Sequence, residues 1–150
     1  MGGLRENYGR GISELVNLLL DTHSFIWTVC DTGRLPAAVR EALQEKANSV
    51  VVSAVTFWEI SLKFALHKLK LHGNTPSGLV EAALQMGFEP LPLTPKVAAE
   101  FHGLPRIGHK DPFDRMLVWQ AIQGGYHFVS CDEELKAYVP HGLKLYWPES

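Results

Sequence analysis

The sequence predicts a three-layer α/β/α fold around a mostly parallel sheet, on two observations. Short apolar runs alternate with stretches of helical periodicity along the whole chain. The apolar runs carry apolar residues toward both faces, as parallel strands covered by helices on each side do. Right-handed crossovers follow from that architecture.

Each element is justified in turn. Residues 17–21 (NLLLD) predict a buried strand, and Phe25, Ile26 and Val29 place a helix over 22–30. Residues 36–46 (PAAVREALQEK) predict a helix with proline in its first turn. The β-branched run 49–53 (SVVVS) is a second strand, and 56–66 (TFWEISLKFAL) has helical spacing. After a loop over 72–76, residues 76–86 form a helix ended by Gly87. Residues 88–93, with two prolines, suit an edge strand, and 95–101 a short helix. A loop over 103–110 leads to the strongest helix, 112–123 (PFDRMLVWQAIQ), closed by Gly124 and Gly125. Residues 126–130 (YHFVS) are a strand, 132–138 a short helix and 143–147 a final strand. There is no internal repeat and no low-complexity segment.

The 150 residues, 46% hydrophobic and 20% charged, suit one globular domain with a real core. The globular pattern starts at Asn17. Residues 1–16 (MGGLRENYGRGISELV) read as an N-terminal arm or a non-native extension, the latter if translation natively starts at Val16 from a GTG codon. No run approaches the roughly 18 apolar residues of a membrane span, and no secretory signal is evident. Cys30 and Cys131 are not in a C-x-x-C pair, so a reducing, cytoplasmic setting is expected. The net charge of −2 gives no basic face of the kind that holds nucleic acid by charge alone. Lys63, Lys68 and Lys70 are the only local cationic cluster, read as a solvated helix end. If the substrate is RNA, something else must supply positive charge, and a bound metal would do so.

The carboxylates carry the chemistry. Asp21 ends the first strand, and Asp132 lies just past the strand at 126–130. Glu59 is expected in the first turn of the helix after the second strand, and Asp114 in the first turn of the strongest helix. All four then face the carboxyl edge of the sheet, where open α/β folds bind ligands. Each has a plain structural explanation. Thr56-Phe57-Trp58-Glu59 matches a capping box, Asp111 fits an N-cap ahead of Pro112, and Asp21 and Asp132 can each cap the helix that follows. Together they are harder to explain, because like charges in a cleft repel unless a cation is present. An all-oxygen donor set suits Mg²⁺, or Mn²⁺, better than zinc. A bound water on such an ion is a ready nucleophile for a phosphate ester.

At four places the residues resemble one known family. Residues 17–27 (NLLLDTHSFIW), 52–62 (VSAVTFWEISL), 109–121 (HKDPFDRMLVWQA) and 129–135 (VSCDEEL) are similar, in order, to the four motifs of PIN-domain proteins, and most to the VapC-type toxins of toxin–antitoxin pairs. The resemblance covers residues 17–147. It implies a Mg²⁺-dependent endoribonuclease that cuts structured RNA such as tRNA or rRNA, and a small VapB-type antitoxin encoded alongside. It implies that Asp21 and Asp114 are metal ligands, that Glu59 is a ligand directly or through water, and that Asp132 is the fourth acid. Asp111 is then an extra acid, held here as a helix cap first and a site member second. Ser130 matches a position that often carries Thr or Ser, where a hydroxyl binds water or phosphate or caps the next helix. A homodimer is expected from the family and from apolar residues over 62–71.

Other residues are weaker candidates. None of the seven histidines forms H-E-x-x-H or pairs with cysteine at zinc spacing. His109 reads as ordering its loop, and His23 as a rim residue that could touch substrate. Arg115 reads as a structural ion pair before a phosphate ligand. Trp27, Trp58 and Trp119 read as core or interface packing before base stacking. No phosphate-binding G-x-x-x-x-G-K-[ST] loop or G-x-G-x-x-G turn is present, and a second aspartate two residues after Asp21, as an aspartyl phosphatase needs, is replaced by His23. The rival class is a non-catalytic binding module on the same fold, which would be expected to have lost one of the acids.

Overall fold

The computed structural model describes residues 15–108 and 111–148. His109 and most of the expected N-terminal arm lie outside them. Among the described residues the strands are β1 (Asn17–Leu20), β2 (Ser49–Ser53), β3 (Glu89–Leu91), β4 (His127–Val129) and β5 (Lys144–Tyr146). They form one sheet in the order β3-β2-β1-β4-β5, with every neighbouring pair parallel. The sheet is therefore wholly rather than mostly parallel across these strands.

Burial on both faces explains the arrangement. Leu18, Leu19 and Leu20 are all fully buried. Leu18 and Leu20 pack with Val50, Val52, Phe25, Ile60 and Leu79 on one face. Leu19 packs with Val51, Phe128, Leu117, Val118 and Tyr138 on the other. The period-two alternation of a strand thus feeds two cores. Helices α1 (Thr22–Cys30), α2 (Ala37–Gln44), α3 (Ala54–Ala65) and α4 (Pro76–Gln85) follow the first strands, then α5 (Pro95–Glu100) and α6 (Pro112–Gly124). Left-handed Gly87 and Gly125, at φ 82° and 70°, stop α4 and α6 where the sequence expects.

Local boundaries differ from expectation where a polar side chain decides them. Helix α3 starts at Ala54, because the Ser53 hydroxyl accepts from Val55 N and acts as the N-cap. Thr56 is therefore inside the helix and buried, and there is no capping box. Glu59 falls in the second turn. Pro36 is the N-cap residue of α2 rather than part of its first turn. Residues Glu133–His141 wind as a 3-10 helix containing Pro140. Leu71 is 3% exposed and belongs to the core, so it cannot serve a dimer surface. Exposed apolar side chains on and just after α3 are instead Trp58, Leu62, Phe64 and Leu66. No helix among the described residues is long and apolar enough to cross a membrane.

Candidate functional site

The carboxyl ends of the two central strands build the site. As β1 ends, Asp21 N donates to Val129 O of β4 at 3.0 Å, holding the two strand ends together. The Asp21 side chain then caps α1, with Oδ1 accepting from Ser24 N at 2.8 Å. Beyond β4, Asp132 caps the 3-10 helix by accepting from Glu134 N at 3.0 Å. Ser130, between them and buried, accepts from Asp132 N at 3.2 Å and hydrogen-bonds the Asp21 carboxylate. Asp111 caps α6, accepting from Phe113 N and Asp114 N at 2.8 and 3.2 Å, and so places Asp114 in the first turn.

Asp21, Asp114 and Asp132 meet in a pocket of about 280 Å³, together with His23, Trp27, Ser130, Cys131 and Leu135. A larger cavity of about 760 Å³ opens at the opposite end of the sheet, around Ser49 and Glu89, and no predicted site residue lines it. Size alone is a poor guide here: the carboxylates, and the strand ends that bind ligands in such folds, are at the smaller pocket.

Glu59 does not line the pocket. It is 2% exposed and both its oxygens are engaged. Oε1 accepts from the Thr22 hydroxyl at 2.6 Å, and Oε2 pairs with Lys63, one helical turn on. Thr22 adjoins Asp21 in sequence, so Glu59 sits directly behind the first acid. Lys63 is thus no solvated helix end. Burial works against its charge, but Glu59, then Asp111 and Asp114, more than offset this and raise its pKa. It is a resident cation among the acids. Thr22 and Lys63 are the residues that sequence reasoning missed. The signal for Lys63 was present in the Glu59–Lys63 spacing of a favourable helix ion pair.

Burial pushes the Asp21 carboxyl above the ordinary carboxylate range, although hydrogen bonds from Ser24 and Ser130 and the charge of His23 pull the other way. A charged Asp21 therefore sits in a setting that favours a cation beside it. Among the described residues no group of three or more His, Cys, Asp or Glu side chains is placed to hold a metal ion. An ion here would take one or two carboxylates and keep waters, which is the habit of magnesium rather than of structural zinc. With that limit, the oxygen donors present fit a hydrated divalent cation.

The remaining candidates separate. His23 is exposed on the pocket rim and stacks at a tilt on Trp27, with ring centroids 5.9 Å apart. Arg115 turns away from the pocket. It donates to the carbonyls of Leu104 and Pro105 at 3.2 and 3.3 Å, and lies 4.8 Å over the Phe101 ring. Its expected ion pair is replaced by a clamp on the 3-10 turn ahead of α6. Burial and the charges of Asp21, Asp132 and Glu133 raise the Cys131 thiol, which disfavours the thiolate a nucleophile needs. Trp119 is core, its indole N–H donating to Val97 O at 2.9 Å, whereas Trp58 is 62% exposed and touches Phe113 edge-on.

Known proteins resemble this chain in sequence and fold. The chain is 28% identical over 124 residues to Ribonuclease VapC22 of Mycobacterium tuberculosis, covering 83% of this chain and 93% of that protein. Its fold is similar to VapBC2 from Rickettsia felis bound to a DNA fragment from their promoter, at TM-score 0.65 and 15% identity, over 89% of this chain and 100% of that one. It is also similar to DNA-bound VapBC from Salmonella typhimurium, at TM-score 0.64 and 21% identity, over 88% and 98% of the two chains. At those identities the two structures speak for the fold. The family model of the PIN domain matches residues 18–139, which hold all the acids described above, and the chain belongs to the PIN domain family.

Proposed function

We propose that this chain is a divalent-metal-dependent endoribonuclease, the toxin of a VapBC-type toxin–antitoxin pair, acting in the cytoplasm on structured RNA such as tRNA or rRNA. The observation that carries the reading is the meeting of Asp21, Asp114 and Asp132, from three distant segments, in one pocket at the carboxyl edge of the sheet. Membership of the PIN family and the likeness to a named ribonuclease support it.

One or two of Asp21, Asp114 and Asp132 would hold Mg²⁺, or Mn²⁺ in its place, directly, and the rest through its waters. When bound, such an ion lowers the pKa of a coordinated water and offsets charge on a phosphodiester. The protein's own part is positioning. Ser24 N and Ser130 fix the Asp21 carboxylate, and Asp111 fixes the backbone of Asp114. Glu59, pinned by Thr22 and Lys63, acts behind Asp21 through water or as a source of negative charge rather than by direct contact. A VapB-type antitoxin would silence the site most simply by laying an arginine among these acids. Trp58, Leu62, Phe64 and Leu66 offer apolar surface for a homodimer.

The test is cleavage of total cellular RNA by the purified chain. Magnesium should support it, while EDTA and Asp114→Asn should each reduce it at least a hundredfold. Cleavage that survives both treatments refutes this site. An intact, folded protein that cuts no cellular RNA in magnesium supports the binding-module reading instead.

A further inference from the structure

The aromatic side of the acid pocket has no part in the chemistry just described. Helix α1, capped by Asp21, carries His23 and Trp27 four residues apart, on one face. Both residues line the pocket that holds Asp21, Asp114 and Asp132. Behind Trp27 stands Trp147, from the segment after β5, with ring centroids 6.3 Å apart. The Arg34 guanidinium lies 5.6 Å from the Trp27 ring centre. Trp27 also packs on the core, yet its ring stays only partly buried, so packing alone leaves its exposed part unexplained.

We propose that Trp27, with His23, is a stacking wall for one unpaired nucleobase of the RNA strand whose phosphodiester meets the acids. The proposal rests on the ribonuclease reading and adds what the pocket recognises. Three features favour a base over other occupants. The wall is continuous with the acid floor, as base and phosphate are continuous within a nucleotide. The pocket, at about 280 Å³, accommodates a single nucleotide rather than a duplex. Arg34, in an exposed ion pair with Asp31 at 3.2 Å, brings a cation next to the ring, where it can exchange that partner for the next phosphate along the strand. Stacking on an aromatic ring tolerates any base, so the wall supplies affinity and register and leaves sequence choice to other contacts. It also requires the target base to be unstacked, which directs cutting to loops, bulges and ends.

The experiment compares adenosine 5′-monophosphate with ribose 5-phosphate, which lacks the base. Both are titrated into the full chain in magnesium buffer and followed by NMR chemical shifts. Wild type should bind the nucleotide about tenfold more tightly. Trp27→Leu should bring the ratio close to one, Trp27→Phe should keep most of it, and His23→Ala should lower it about threefold. His23 is exposed, so His23→Ala tests the wall without disturbing the core. Equal binding of the two compounds to wild type overturns the proposal, as does an undiminished ratio in folded Trp27→Leu, or no binding of either. Equal binding by a wild-type chain that still cleaves RNA would remove only the stacking wall. A wild-type chain that prefers the nucleotide but cuts no RNA would remove only the nuclease reading.

Discussion

Asp21 serves two purposes that compete. Its side chain caps α1, which stabilises the fold, while its buried charge opposes folding when no cation is near. Asparagine keeps the capping oxygen and removes the charge. Asp21→Asn should therefore raise the metal-free melting temperature at neutral pH by about 2–4 °C, with RNA cleavage lost. A lower melting temperature by scanning calorimetry would show that the carboxylate charge is already balanced from within. Lys63 is the complementary case. Removing it by Lys63→Met leaves Glu59 buried and charged without its partner. The cost should be about 1–2 kcal/mol, less than for a fully buried pair because a third of the Lys63 side chain meets water. The double variant Lys63→Met with Glu59→Gln should recover most of that loss in urea titrations. If the two single losses simply add, the pair is not coupled.

At the scale of elements, the site depends on how each helix starts. Helix α6 begins as the sequence reads, because Asp-Pro-Phe-Asp combines an N-cap, an N1 proline and a first-turn acid within four residues. Helix α3 does not, because Thr56-x-x-Glu59 imitates a capping box while Ser53, at the strand end, already caps the helix at Val55 N. The true cap frees Glu59 to bind Lys63, and so moves an acid from the pocket to the layer behind it. The other end of the sheet carries a separate pH dependence. His127 opens β4 opposite Lys144 of β5. Burial, and then the lysine charge, hold its imidazole below the ordinary 6.5. The unfolded chain thus binds a proton at higher pH than the native one, so stability rises with pH across that interval. The contribution is present above about 6.5 and is lost as pH falls from there through the lowered native value. His127→Gln should flatten the decline of melting temperature between about pH 7 and about pH 5. An unchanged slope would assign the decline to other groups.

At the scale of the molecule, much was legible because burial and chain order are written in residue type. Leu18 to Leu20 and Val50 to Val52 are apolar on alternate faces, so a two-sided parallel sheet followed, and Asp21 and Asp132 fell at strand ends by simple counting. The arrangement of side chains behind the pocket was less legible. Whether Glu59 points into the pocket depends on the helix being capped at Ser53, three residues before Thr56. Whether Trp27 is core or wall depends on where Asp114 and Asp132 arrive from more than eighty residues away. Arg115 follows an acid in sequence yet bonds two carbonyls, since its neighbour on the helix surface is the Leu104–Pro105 turn. The account as a whole depends on one pocket attracting a divalent cation, and an anomalous difference map from crystals soaked in manganese measures that directly. It should show a peak touched by Asp21 or Asp114 within the pocket they share with Asp132. A pocket with no peak at saturating manganese, or a peak only elsewhere on the surface, would contradict it.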